Sequence, residues 1–307
     1  MSLLTKKLKI HSKILKYPVT YNTFMFRPKI LGLFRLFRFE LSFTAGVCVI
    51  LGELLALGTL PTITEIILGF LSIFFISATS LILNDYFDLE IDRINAPERP
   101  LPAGLVTERE VVLLSIVVAV LGLITSYLIS LEALLVVILV WAIGLLYNWR
   151  FKKAGLIGNL MVSFSVGMTF IFGGIVVNKP FETIVWLFAI ILILADLGEE
   201  IAADAMDIEG DRQAGSRSLA LVIGRENALK ISGAAFLLVV AASILPFLFG
   251  WLERIYLFPI LLMDLVILYS TGKLLDPRTA NRRIYIRWIY LAGLVAFLIF
   301  IFIRMFR

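Results

Sequence analysis

Long apolar blocks alternate with short charged breaks along the chain. Nine of the blocks approach the roughly 20 residues that a helix needs to cross a bilayer. They cover about 41–60, 66–84, 111–130, 133–149, 156–177, 183–203, 228–249, 255–271 and 286–303. The pattern predicts an all-α, polytopic membrane bundle of about nine transmembrane helices. A basic arm over residues 1–40 leads into a single membrane domain over 41–307. Its halves are about 41–150 and 151–270. Glu53, Asp196 and Asp264 interrupt otherwise apolar blocks.

Composition agrees with a membrane protein: 60% of the 307 residues are hydrophobic and 17% charged, against about half and one quarter in soluble domains. One Cys (Cys48) excludes an intrachain disulfide and Cys-based metal sites, and one His (His11), in a basic stretch near the N-terminus, argues against His-pair metal sites and a His-containing triad. Chemistry must come from Asp, Glu, Asn, Tyr, Lys and Arg. With the N-terminus inside, 24 of the 28 Lys and Arg fall on the cytoplasmic side. Only Lys179, Arg254, Arg304 and Arg307 fall outside. This bias predicts a multi-pass protein of the cell membrane with its N-terminus in the cytoplasm. The basic arm reads as a segment attracted to anionic headgroups of the lipid bilayer, not to nucleic acid.

Two cytoplasmic segments are near copies. Residues 85–93 read DYFDLEIDR and residues 204–212 read DAMDIEGDR, matching in Asp85/Asp204, Asp88/Asp207, Glu90/Glu209, Asp92/Asp211 and Arg93/Arg212. Four spans separate them, so both face one side and the duplication is parallel. At about 100° per residue, Asn84, Asp88 and Asp92 share a helical face with Asp85 beside it, while Glu90 points away. Asp196, Glu200, Asp204, Asp207 and Asp211 likewise form one stripe, and Glu209 points elsewhere. Clustered carboxylates at a membrane boundary need a cation to offset them. Mg²⁺, an oxygen-seeking ion that pairs with phosphates, suits this donor set. A third cluster, Tyr147, Asn148, Arg150, Lys152 and Lys153, lies on the same side. It offers either positive-inside flanking or cationic donors for phosphate oxygens, and Arg35 and Arg38 admit both readings.

Acidic clusters, adjacent cations and a Leu/Ile/Val/Phe bundle suit a substrate with a phosphorylated head and an apolar tail, such as a polyprenyl diphosphate. The run Asn84-Asp85-x-x-Asp88-x-x-x-Asp92 with Arg93-Ile94-Asn95 and Arg99-Pro100, and the second run Asp204-x-x-Asp207-x-x-x-Asp211, resemble the UbiA-type intramembrane prenyltransferases. The resemblance implies Mg²⁺-dependent prenyl transfer within the membrane, at a cytoplasmic-side site. Asp88, Asp92, Asp207 and Asp211 would hold the metal, and Asn84, Arg93, Lys152, Lys153 and Arg212 the diphosphate. Tyr147 would face the allylic carbon, with Asp85 or Asp204 removing the acceptor's proton. The partners implied are a prenyl diphosphate and a hydrophobic or aromatic acceptor, with no obligatory protein partner.

The stretch from Gly155 to Gly174 is most similar to members acting on geranylgeranylglyceryl phosphate. Arg38-Phe39-Glu40-Leu41 lacks the Pro and Asn that members often carry there. A quinone-type aromatic acceptor (4-hydroxybenzoate or dihydroxynaphthoate) is the alternative. An ion-coupled transporter is the rival of another class. Its acids usually lie near the midplane between inverted repeats; here they lie at one edge of parallel ones. Glu53 and Asp264 read as neutral or inter-helix hydrogen-bonded groups, and Gly167, Gly173 and Gly174 as close helix contacts.

Overall fold

The computed structural model describes residues 26–306, and among these the regular elements are all helices. Helix α1 (Phe26–Leu36) precedes α2 (Phe39–Leu57), α3 (Ile63–Phe87) and the short α4 (Leu89–Asn95). Then follow α5 (Glu108–Ile129), α6 (Leu131–Leu146), one π-helical turn (Tyr147–Phe151) and α7 (Leu156–Val176). Next come α8 (Thr183–Met206), the short α9 (Ile208–Ala214) and α10 (Leu219–Ile223), and α11 (Arg225–Ser243). Helices α12 (Leu245–Leu248), α13 (Leu257–Leu275) and α14 (Arg283–Met305) complete the order.

Each of the nine apolar blocks becomes a helix, and local chemistry sets the starts. Thr62 with Glu65 and Thr107 with Glu110 form reciprocal capping boxes that open α3 and α5. The Ser130 side chain accepts from the Ala133 N–H and opens α6. Eight described segments are long and apolar enough to cross a membrane. Helix α8, the remaining block, is 24 residues long, about 36 Å at 1.5 Å per residue. Asp196, Glu199, Glu200 and Asp204 set it apart from the other eight.

One sequence expectation needs correction. The acidic faces do not run along continuous helices: the chain breaks at Asp88 (φ −91°, ψ 0°) and at Asp207 (φ −122°, ψ 31°). Each Asp ends a long helix and begins a seven-residue one, so the duplication is visible in the backbone. Of the basic arm, residues 1–25 lie outside the described residues. Leu33 and Leu36 of α1 pack with Ile82, Leu89, Leu101 and Val106.

Helix α2 is pressed against α7 at paired glycines. A Cβ on Gly52 would stand 2.4 Å from the Phe170 carbonyl oxygen, and one on Gly173 2.3 Å from that of Val49. Gly167 is as close to Ile193 of α8. These glycines therefore serve helix contact. Glu53 is fully buried beside this contact, and neither of its oxygens has a hydrogen-bond partner among the described residues. Asp264 behaves as expected, accepting from Ser243 Oγ at 2.8 Å across α11 and α13.

Gly173→Val places a branched side chain against α2 backbone and should destabilise the fold by about 1–3 kcal/mol or more. Gly293, whose Cβ would meet nothing within 4 Å, is the control. Thermal unfolding in one detergent should show a clear fall for Gly173→Val and little change for Gly293→Ala. Equal effects would contradict the packing described.

Candidate active site

The motif-bearing loops meet at one end of the bundle. The π-helical turn after α6 supplies Tyr147 and Asn148, with Lys152 just beyond it; such turns recur at functional sites because they re-aim side chains. The next loop is anchored to the second motif. Arg217 N–H donates to the Lys153 carbonyl at 3.0 Å. Gly155 (φ +63°) lies so close to the Arg217 carbonyl that a Cβ would fall 1.9 Å from it. Lys152 is thereby fixed between the two acidic loops.

The first motif is charge-paired within the protein. Asp85, 2% exposed, accepts from Arg38 Nη2 at 2.5 Å, with Arg99 Nη1 at 3.8 Å. Asp92 accepts from Arg99 Nη1 at 2.6 Å, and Asp88 pairs with Lys152 Nζ. Arg38 achieves its contact from a left-handed backbone (φ 40°, ψ 59°) between α1 and α2. That conformation is uncommon for a non-glycine residue and tends to be kept at functional sites. Burial works against the Arg99 charge, but the Asp92 bond and the nearby Asp85 and Asp88 outweigh it and raise its pKa. Asn84 stands 2.9 Å from Asn148. With its amide oxygen toward Lys152 (2.8 Å) and nitrogen toward Asp88 (3.1 Å), it bridges that pair.

The second motif differs. Asp204 accepts from Asn159 Nδ2 at 2.9 Å and Asp196 from Ser163 Oγ at 2.8 Å. Asp207 and Asp211 have no Lys or Arg within ion-pair distance among the described residues, and Asp211 Oδ2 is buried without a hydrogen-bond partner. Burial raises the pKa of Asp211; the nearby Ser218 hydroxyl opposes the rise and the Asp207 charge adds to it. Gly210 lets the Asp207 carboxylate pack against the α9 backbone: a Cβ there would fall 2.6 Å from Oδ1. The first motif has Ile91 at the matching position.

A buried carboxylate oxygen on Asp211 without a hydrogen-bond partner fits a hard cation with oxygen ligands. Among the described residues no three Asp or Glu converge as a ready-made cage. That suits Mg²⁺, which keeps waters and takes one or two carboxylates together with substrate phosphates.

Below this layer lies a cavity of about 570 Å³. Arg38, Asn84, Tyr147, Lys152, Glu199 and Glu200 line its polar part, and residues such as Ile73, Phe170, Phe188, Phe297 and Phe300 its apolar depth. Tyr147 lines this cavity together with Asn84 and Lys152 on one side and Asp196 and Glu200 on the other.

Several residues singled out from sequence stand elsewhere. Arg93 and Arg212 point outward, each paired with the Glu three residues before it (Arg93–Glu90 2.6 Å, Arg212–Glu209 3.0 Å), with side chains 55% and 65% exposed. Lys153 is exposed, and neither it nor Asp85 lines the cavity. Asp85 is held by Arg38 and Arg99. Sequence reasoning passed over Asn159, Ser163, Tyr290 and the cavity-facing role of Glu199. Asn159 and Ser163, spaced by four on apolar α7, were the available signal. Tyr290, bonded to Thr44 at 2.8 Å, had none.

A family model, the UbiA prenyltransferase family, matches residues 45–292. The chain belongs to this family. It is a membrane prenyltransferase, and the transporter reading falls away. A digeranylgeranylglyceryl phosphate synthase from Thermococcus kodakarensis is 34% identical over 265 residues, covering 85% of this chain and 94% of that one. A solved structure concerned with digeranylgeranylglyceryl phosphate synthase in membranes is 30% identical, with TM-score 0.72 over 88% of this chain and 98% of that one. A UbiA homologue from Archaeoglobus fulgidus, solved bound to DMAPP and Mg²⁺, shares the fold at 21% identity, with TM-score 0.62 over 86% and 98% of the two chains.

The placements separate the cations. Lys152→Ala should weaken Mg²⁺-dependent binding of a prenyl diphosphate by about tenfold or more, the scale of one charge-assisted contact. Arg93→Ala and Arg212→Ala should leave it within about twofold. Titration of the three variants against geranylgeranyl diphosphate in nanodiscs reads this directly. A large loss in Arg93→Ala with none in Lys152→Ala would reverse the assignment.

Proposed function

We propose that this chain transfers a geranylgeranyl group from its diphosphate to geranylgeranylglyceryl phosphate, forming the second ether bond of an archaeal-type lipid core. The observation that carries it is the two-part cavity: a polar mouth of Asn84, Tyr147, Lys152 and Glu200 over an aromatic-lined apolar depth. The named relatives, covered over nearly their whole length, support this acceptor. All nine apolar blocks, α8 included, would cross the cell membrane, and the basic-residue bias puts the motif end in the cytoplasm.

Asp207 and Asp211, with Asp88 and Asp92 opposite, would hold Mg²⁺ on the diphosphate. The A. fulgidus homologue bound to DMAPP and Mg²⁺ supports that role. Bound there, the metal would absorb charge on the leaving diphosphate. Lys152, already at the mouth and shared between Asp88 and the cavity, would neutralise a phosphate oxygen, and Asn84 would orient it. Ionisation breaks the bond between C1 and the diphosphate oxygen. Tyr147 and the apolar wall keep water from the allylic cation, and the ring face favours its charge.

The acceptor hydroxyl oxygen then bonds to C1 and its proton leaves to a carboxylate. Asp85 is occupied by Arg38 and Arg99, and Asp204 by Asn159. Glu200 lines the cavity with Tyr147 and Lys152, which supports it as the proton acceptor.

Purified protein in nanodiscs would be given geranylgeranyl diphosphate with geranylgeranylglyceryl phosphate, 4-hydroxybenzoate or a dihydroxynaphthoate, with Mg²⁺ or EDTA. Mass spectrometry should find the doubly geranylgeranylated glyceryl phosphate in the Mg²⁺ arm alone. Asp207→Asn should lose diphosphate binding together with turnover. Glu200→Gln should lose turnover by about two orders of magnitude, the scale of a general base, and keep binding. Product from an aromatic acceptor alone would replace the acceptor assignment; product in EDTA would overturn the metal role.

A further inference from the structure

A second cavity, about 430 Å³, enters from the opposite end of the bundle. Its walls are polar where the first is greasy: Lys179, Glu182, Glu253 and Arg304 belong to it. Two residues, Leu55 and Phe300, line both cavities. The partition between the substrate chamber and the far-side cleft is therefore one layer of side chains thick. Phe300 is held in that layer by Tyr256, whose ring stacks on it at 4.2 Å between centroids and an interplanar angle of 26°. Tyr256 is itself 2% exposed, and Arg304 reaches its hydroxyl at 3.5 Å. On the chamber side Phe170 sets an edge contact with Phe297 (5.8 Å) and a stacked one with Phe188 (6.1 Å).

The position of this layer along the helices makes it a floor. Arg38 stands at the mouth and Leu55 at the floor, 17 residues on along α2, or about 25 Å at 1.5 Å per residue. On α14, Tyr290, bonded to Thr44 of α2, and Phe300 lie about 15 Å apart by the same rise, matching the step from Thr44 to Leu55. An apolar tail that starts at the mouth and runs inward ends against Phe300 and Leu55. Beyond them it would meet charged side chains and lose the burial that drives it in.

We infer that Phe300 and Leu55, with Phe300 braced by Tyr256, form the stop that sets the longest prenyl chain this enzyme accepts. The inference rests on the proposed placement of the diphosphate at the Lys152 mouth. Neither residue touches the reacting atoms; both act through the length of tail they admit.

The test is Mg²⁺-dependent binding of farnesyl, geranylgeranyl and geranylfarnesyl diphosphate to the full chain in nanodiscs, compared among the natural protein, Phe300→Ala, Phe300→Leu and Leu55→Phe. The readout is the affinity ratio between the two longer diphosphates, which needs no acceptor and is insensitive to a fall in active fraction. Phe300→Ala should shift the ratio toward geranylfarnesyl diphosphate by about tenfold or more, with Phe300→Leu intermediate. Leu55→Phe should shift preference toward farnesyl diphosphate. Phe300→Leu and Leu55→Phe keep a large apolar residue in the layer, so they carry the test if Phe300→Ala does not fold. Unchanged ratios in folded variants would overturn the stop while leaving the diphosphate site standing. Failure of the natural protein to bind any of the three would overturn the diphosphate placement itself, and the stop with it.

Discussion

Carboxylates at the edge of a low-dielectric bundle are tolerable only where positive charge meets them, and this constraint organises the molecule. The first motif meets it internally. Arg38 reaches Asp85 from a left-handed turn, Arg99 folds back to Asp92, and Lys152 comes across from the π-helical turn to Asp88. Those contacts draw α1, α2, the loop after α4 and the end of α6 to one point. The second motif copies the spacing and the helix break without the cations, and its Gly210 lets the Asp207 carboxylate pack against the α9 backbone. One half of the duplication is thus charge-balanced by the chain, while Asp207 and Asp211 of the other have no Lys or Arg within ion-pair distance among the described residues.

The same division shapes the cavity. Polar groups from both halves gather around Tyr147, and the apolar depth is walled by α2, α7, α8 and α14. Glycine contacts at Gly52 and Gly173 fix the α2–α7 wall, so the chamber is bounded by rigid helices and not by loops. Binding energy from the tail can then hold the head in register with the charged layer, where stabilisation of a leaving diphosphate grows as its bond breaks.

Much of this was legible in the sequence. A block long enough to span a bilayer has few other ways to satisfy its backbone, so the apolar runs located the helices to within a few residues. The outward direction of Glu90 and Glu209 also followed from helical spacing, and both residues pair outward with Arg93 and Arg212. Those arginines are the ones the sequence reading gave to the diphosphate. They follow their glutamates by one helical turn and share the outward face. Neither Gly nor Pro marks the breaks at Asp88 and Asp207, so local signals did not reveal them. Cross-element partnerships such as Arg38–Asp85, Asn159–Asp204 and Thr44–Tyr290 depend on helix docking, which residue spacing within one segment does not encode.

Metal location tests the asymmetry between the motifs most directly. A structure of the chain with Mn²⁺ and a non-hydrolysable geranylgeranyl diphosphate analogue would show the metal by its anomalous signal. The expected result is metal density bridging the diphosphate to Asp207 and Asp211, with Lys152 on a phosphate oxygen and Arg38 still on Asp85. Density on Asp85, or metal confined to the first motif with the second empty, would contradict it.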